Sequence, residues 1–126
     1  MSYTHVSNLG NVQSEILKGL DFYKEDIAIM EKRLLEVAGK NSQFEARQGI
    51  DHFESQFLIQ RNNIGQLRHR VNDYIHLAAT EVAAHEGYVN KDMLEKRELL
   101  EDEYIAIEKS IGELSQEFKR FLAKWI

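Results

Sequence analysis

The stretch Phe53-Glu-Ser-Gln-Phe57-Leu-Ile-Gln60-Arg-Asn-Asn-Ile64-Gly-Gln-Leu67-Arg-His-Arg-Val71-Asn-Asp-Tyr74 decides the fold of this chain. Its apolar residues, with Gln60 among them, step alternately by four and three. That mean spacing of 3.5 residues keeps one face of an α-helix apolar and cannot be laid along a strand, whose faces alternate every two residues. The stripe runs on in both directions, back through Ile50 to Ala46 and forward through Ala78 and Glu81 to His85.

The same alternation occurs on either side. Ile16, Leu20, Tyr23, Ile27, Met30, Leu34 and Val37 form one stripe. Met93, Arg97, Leu100, Tyr104, Ile107, Ile111, Leu114, Phe118, Phe121 and Trp125 form another. Between them lie turn signals. Gly39 suits a left-handed helix end, and Ser42 with Glu45 reads as a capping box. Gly87 ends the second helix and Asn90 caps the third. The expected helices are about 12–38, 43–86 and 91–125 in a single domain, 1–126. Short turns between long helices predict antiparallel neighbours. The fold class is therefore all-α: an antiparallel up-down-up three-helix bundle or coiled coil with a long hairpin of the second and third helices.

In an antiparallel pair, facing positions have a constant index sum. Laying the second stripe on the third pairs Phe57 with Phe121, Ile64 with Leu114 and Ala78 with Leu100, all at 178. Glu81 then faces Arg97, and Arg61–Glu117 and Arg70–Glu108 flank the seam. The first and second stripes pair at a sum of 80. Gly65 and Gly112 come nearly level; close packing of backbone or a ligand there would explain them, as would drift without function. In this register, 71–86 and 91–107 reach past the first helix as a two-helix arm. The arm carries additional apolar residues, and Asn8, Gly10 and Asn11 weaken a helix that would extend back to cover it. A second copy of the chain is the expected cover, with Ile75, Ala78, Ala79, Val82, Leu94 and Leu99 at the interface.

Composition narrows the functional classes. The chain of 126 residues has no Pro, no Cys and seven Gly, and is 43% hydrophobic and 29% charged. It is too apolar for a disordered tail, and without Cys it has no disulfide, thiol catalysis or Cys-type zinc site. The formal net charge of −5 argues against a nucleic-acid partner. The basic group Arg61, Arg68, His69 and Arg70 reads as surface charge paired with acidic neighbours. No apolar run reaches the roughly 20 residues of a membrane span. The first residues lack the pattern of a signal peptide, so the expected setting is cytoplasmic, with no membrane.

No phosphate loop, nucleophile elbow or zinc-protease motif occurs, so no enzyme activity, catalytic residue or cofactor is expected. Asp73 and His76, and Glu81 and His85, have spacings that suit pairs of metal ligands on one helix face. A di-iron bundle needs Glu-x-x-His motifs on two facing helices, and the nearest match here occurs once. Gln60, Glu81 and Arg97 are polar positions inside apolar stripes; they read as structural groups that fix helix register. The expected function is a non-enzymatic helical interaction or scaffold protein that self-associates, with a metal- or small-ligand-binding bundle as the alternative.

Two segments carry a resemblance. Leu20-Asp-Phe-Tyr-Lys-Glu-Asp-Ile27 with Lys-Arg-Leu34, and His52-Phe-Glu-Ser-Gln-Phe-Leu-Ile-Gln-Arg-Asn-Asn-Ile64 leading to Leu67-Arg-His69, resemble a group of small uncharacterised α-helical proteins of Bacteroidetes. The similarity covers about residues 20–70. It implies a bacterial setting and brings no activity or site residue.

Overall fold

The spacing of the stripes carries through directly to burial. In a computed structural model that describes residues 3–5, 10–84 and 88–126, the chain is an all-α three-helix bundle. Helix α1 spans Gly10–Lys40, α2 Phe44–Ala84 and α3 Lys91–Trp125. Two three-residue strands, β1 (Tyr3–His5) and β2 (Tyr88–Asn90), pair antiparallel with Thr4 opposite Val89. Every stripe position with a described side chain is buried or half-buried. The helix starts at Gly10, so Gly10 and Asn11 do not break it as their propensities suggest: the helix continues where burial of Gln13 and Ile16 (4% and 3% exposed) holds it. His85 and Gly87 lie outside the described residues.

The chain forms two compact units, and each helix contributes to both: 1–21 with 65–106, and 22–64 with 107–126. In the first unit the core is Ile16, Leu20, Leu67, Val71, Tyr74, Ala78, Met93 and Leu100. The ribbon of β1 and β2 belongs to this unit, so the expected bare arm is accompanied by the chain's own start. In the second unit the core is Ile27, Leu34 and Val37 of α1, Phe53, Phe57 and Ile64 of α2, and Ile111, Leu114 and Phe118 of α3. Four aromatic rings concentrate there. Phe118 lies 5.2 Å from Phe53 and 5.1 Å from Phe57, edge on in both cases, and Phe121 lies 5.0 Å from Phe53.

Those contacts correct the helix register. Phe53–Phe118, Phe53–Phe121 and Phe57–Phe118 have index sums of 171, 174 and 175, below the expected 178. In the first unit Arg70–Glu103, at 2.9 Å, sums to 173. The slip has a plain cause. A stripe that alternates four and three looks the same after sliding one step, so apolar residues still meet apolar residues. Charge partners change with it. Arg61 pairs with Glu31 at 2.5 Å, and Glu117 with His52 at 2.9 Å, in place of each other. Glu108 accepts from the Tyr23 hydroxyl at 2.9 Å instead of pairing with Arg70. Arg68 pairs with Asp21. These pairs are largely exposed, and such pairs contribute at most about 1 kcal/mol each.

The turn between α1 and α2 is also built differently. Helix α1 runs through Gly39, and Asn41 closes it: its Nδ2 donates to the Val37 carbonyl at 3.0 Å and to the Trp125 carbonyl at 2.9 Å. One side chain thereby satisfies a terminal carbonyl on each of two helices. Arg47 N donates to the Gln43 carbonyl at 3.0 Å, so Gln43, not Ser42, is the residue that opens α2. Glu45 reaches Lys124 at 2.5 Å rather than folding back into a capping box.

Glycines inside the helices sort into two kinds. Gly65 and Gly112, which close packing would have explained, have nothing within 4 Å of an added Cβ. Gly19 and Gly49 are the packed ones. A Cβ at Gly19 would lie 1.9 Å from the Tyr104 hydroxyl, and one at Gly49 would lie 2.2 Å from Phe121 Cε1.

Candidate functional site

In the first unit, α2 and α3 each present four residues spaced 0, 3, 4 and 7 along one face. They are Arg70, Asp73, Tyr74 and Leu77 on α2, and Lys96, Leu99, Leu100 and Glu103 on α3. This spacing puts all four on the same side of a helix over two turns. Together they line an open groove of about 310 Å³. Tyr74 and Leu100 form its floor, 5% and 7% exposed. Leu77 and Leu99 form its walls and stand 46% and 64% exposed. Charges close the rim. Arg70 Nη2 and Nε donate to Glu103 Oε2 at 2.9 and 3.2 Å, and Asp73 takes His69 at 3.3 Å.

The Tyr74 hydroxyl is buried without a hydrogen-bond partner. Burial pushes its pKa above the ordinary 10.0, and the nearby Arg97 charge pulls weakly the other way. Arg97 itself is mostly buried and lies 3.3 Å from Glu101, one turn along α3. Above pH 10 the unfolded tyrosine loses its proton while the folded one keeps it, so the folded state binds more protons and loses stability as pH rises. Tyr74→Phe is expected to remove that part of the alkaline decline in unfolding free energy, measured by urea titration between pH 9 and 11. An unchanged decline would show that Tyr74 does not carry it.

The structure redistributes the residues expected at an interface. Leu99 lines the groove. Ala78 does not: at 8% exposed it belongs to the core, because the α2 stripe carries it inward. Leu94 is half-buried, whereas Ile75 and Ala79 are exposed on α2 but lie on the helix face turned away from Arg70, Asp73, Tyr74 and Leu77 and do not line the groove. The Val82 side chain lies outside the described residues. Leu77, absent from that expected set, also lines the groove, and its position one turn beyond Tyr74 marks it in the sequence.

Gln60 is buried as expected, 7% exposed, with Oε1 unpartnered. Gln13, three residues before Ile16 on the same stripe, is equally buried at 4% and was hidden by its polarity. Of the metal-ligand candidates, His85 lies outside the described residues, and Asp73, His76 and Glu81 belong to no group that could hold a metal ion. Asp73 turns to His69, and His76 is exposed, its backbone carbonyl accepting from Thr80 at 3.1 Å. Among the described residues no three His, Cys, Asp or Glu side chains could hold a metal ion. Among the same residues no helix is long and apolar enough to cross a membrane.

Fold and site together define a three-helix all-α protein with an apolar, charge-rimmed groove between two of its helices. No family model, curated protein or solved structure matches the chain.

Proposed function

We propose that this is a non-enzymatic helical interaction or scaffold protein that forms a homodimer through the groove between α2 and α3. The carrying observation is that Leu77 and Leu99 are exposed and line one groove with the buried Tyr74 and Leu100. Covering the part of Leu77 and Leu99 that is still exposed (46% and 64%) contributes about half of the roughly 1.5–3 kcal/mol that full burial of a leucine gives. Another helix face is the partner that fits a shallow groove between parallel ridges. A cytoplasmic setting in a bacterium accords with the cysteine-free composition and with the resemblance of residues 20–70.

Sedimentation equilibrium tests this reading. The wild-type chain is expected at twice its 14.7 kDa mass, and Leu77→Lys with Leu99→Lys is expected at the monomer mass with unchanged helicity. A wild-type monomer at every concentration up to about 1 mM would contradict it. The alternative of a small-ligand-binding bundle draws on the groove's volume, which sits at the lower edge of the roughly 300–1,000 Å³ typical of ligand pockets.

A further inference from the structure

The charges on the rim of the groove say how a second copy would lie. Lys96 and Glu103 are seven residues apart on α3, two turns of helix and about 10.5 Å. Both are exposed, on the same face, with the 64%-exposed Leu99 between them. An opposite-charge pair placed symmetrically around an apolar residue is its own complement when a helix is turned end for end. Seven residues fall only about 20° short of two full turns, so both charges point at the same partner surface. Glu103 retains acceptor capacity for this. Both Arg70 contacts fall on Oε2, which leaves Oε1 for a second cation.

Resting on the reading of the groove as a homodimer interface, we infer that the two copies pack antiparallel about a two-fold axis at Leu99, with Lys96 of each facing Glu103 of the other. A two-fold contact uses the same patch twice, so each favourable pair occurs twice. The parallel arrangement differs in a checkable way. It would set Arg70 against Glu103 of the other copy and Leu77 near Lys96, leaving Lys96 without a carboxylate.

Charge reversal separates these arrangements. Lys96→Glu puts four carboxylates at the contact and Glu103→Lys puts four ammonium groups there. Each variant alone is expected to dimerise roughly tenfold or more weakly than wild type, since like charges across an interface oppose docking. An equimolar mixture of the two is expected to restore dimers as heterodimers, seen by native mass spectrometry of chains differing in isotope label. A folding defect inside either chain could not produce that rescue, because the complementary pairs exist only between chains. Dimers of Lys96→Glu as tight as wild type, or a mixture without heterodimers, would overturn the antiparallel arrangement while leaving dimerisation through the groove intact. A wild-type chain that is monomeric throughout would overturn both.

Discussion

Phe118→Ala is expected to lower the unfolding free energy by about 3–5 kcal/mol, the largest single loss anticipated for this chain. Phe118 is 1% exposed and its ring contacts Phe53, Phe57 and Phe121 at centroid distances of 5.2, 5.1 and 6.2 Å. Truncation removes the transfer free energy of the ring and leaves a cavity walled by rigid rings that collapse poorly. Edge-to-face geometry with two neighbours adds about 0.5–1.5 kcal/mol per pair beyond area alone. Urea denaturation monitored by circular dichroism measures the loss. Phe22→Ala, at a ring 62% exposed, is the matched control and is expected to change stability by no more than about 0.5 kcal/mol. Equal effects at the two positions would mean that the aromatic cluster is not the core of the second unit.

Gly49→Ala is the second large effect, and its sign runs against helix propensity. Replacing a helical glycine by alanine ordinarily gains about 1 kcal/mol. At Gly49 the new methyl would meet Phe121 at 2.2 Å from Cε1, 2.9 Å from Cδ1 and 3.1 Å from Cζ. Phe53 at 5.0 Å and Phe118 at 6.2 Å stand against the half-buried ring, so giving way to the methyl disturbs the aromatic cluster. Overpacking costs about 1–3 kcal/mol and outweighs the propensity gain. Gly112→Ala, which meets nothing within 4 Å, is expected to stabilise by about 1 kcal/mol. Opposite signs for two identical substitutions in thermal unfolding would establish the glycine-to-ring contact; the same sign would refute it.

Those glycines show where the sequence stops being informative. Gly49 and Gly112 each stand next to a stripe residue, Ile50 and Ile111, and only the third dimension tells which one receives a ring. The stripes themselves were fully legible: positions such as Leu20, Phe57, Leu67 and Ile111 are buried because a 3.5-residue period keeps them on one helix face. Register was not legible, since a stripe slid by one step still matches, and the long charged side chains that decide between steps reach several partners. Arg61 could find Glu117 or Glu31, and the fold selects Glu31. The β1–β2 ribbon escaped notice because Tyr-Thr-His and Tyr-Val-Asn are too short to show a period, although both are rich in strand-forming residues.

The candidate site was half legible. Leu99 was recognisable as apolar and off the stripe, and Leu77 shares that property. Ala78 misled because a small residue looks equally suited to a helix interface and to the core of its own bundle. What joins Leu77 to Leu99 is the packing of α2 on α3, with Arg70 and Glu103 closing one end.

The chain's lack of cysteine allows the central claim to be tested with single thiols. Leu99→Cys places one at the proposed two-fold axis, and Leu58→Cys, 52% exposed in the second unit, serves as the comparison. A disulfide needs Cα atoms within about 7 Å, so only positions near the axis can bridge two copies readily. Under mild oxidation at micromolar protein concentration, Leu99→Cys is expected to give a covalent dimer rapidly and Leu58→Cys to stay monomeric on non-reducing gels. Equal cross-linking at the two positions, or none at Leu99→Cys, would contradict self-association through this groove.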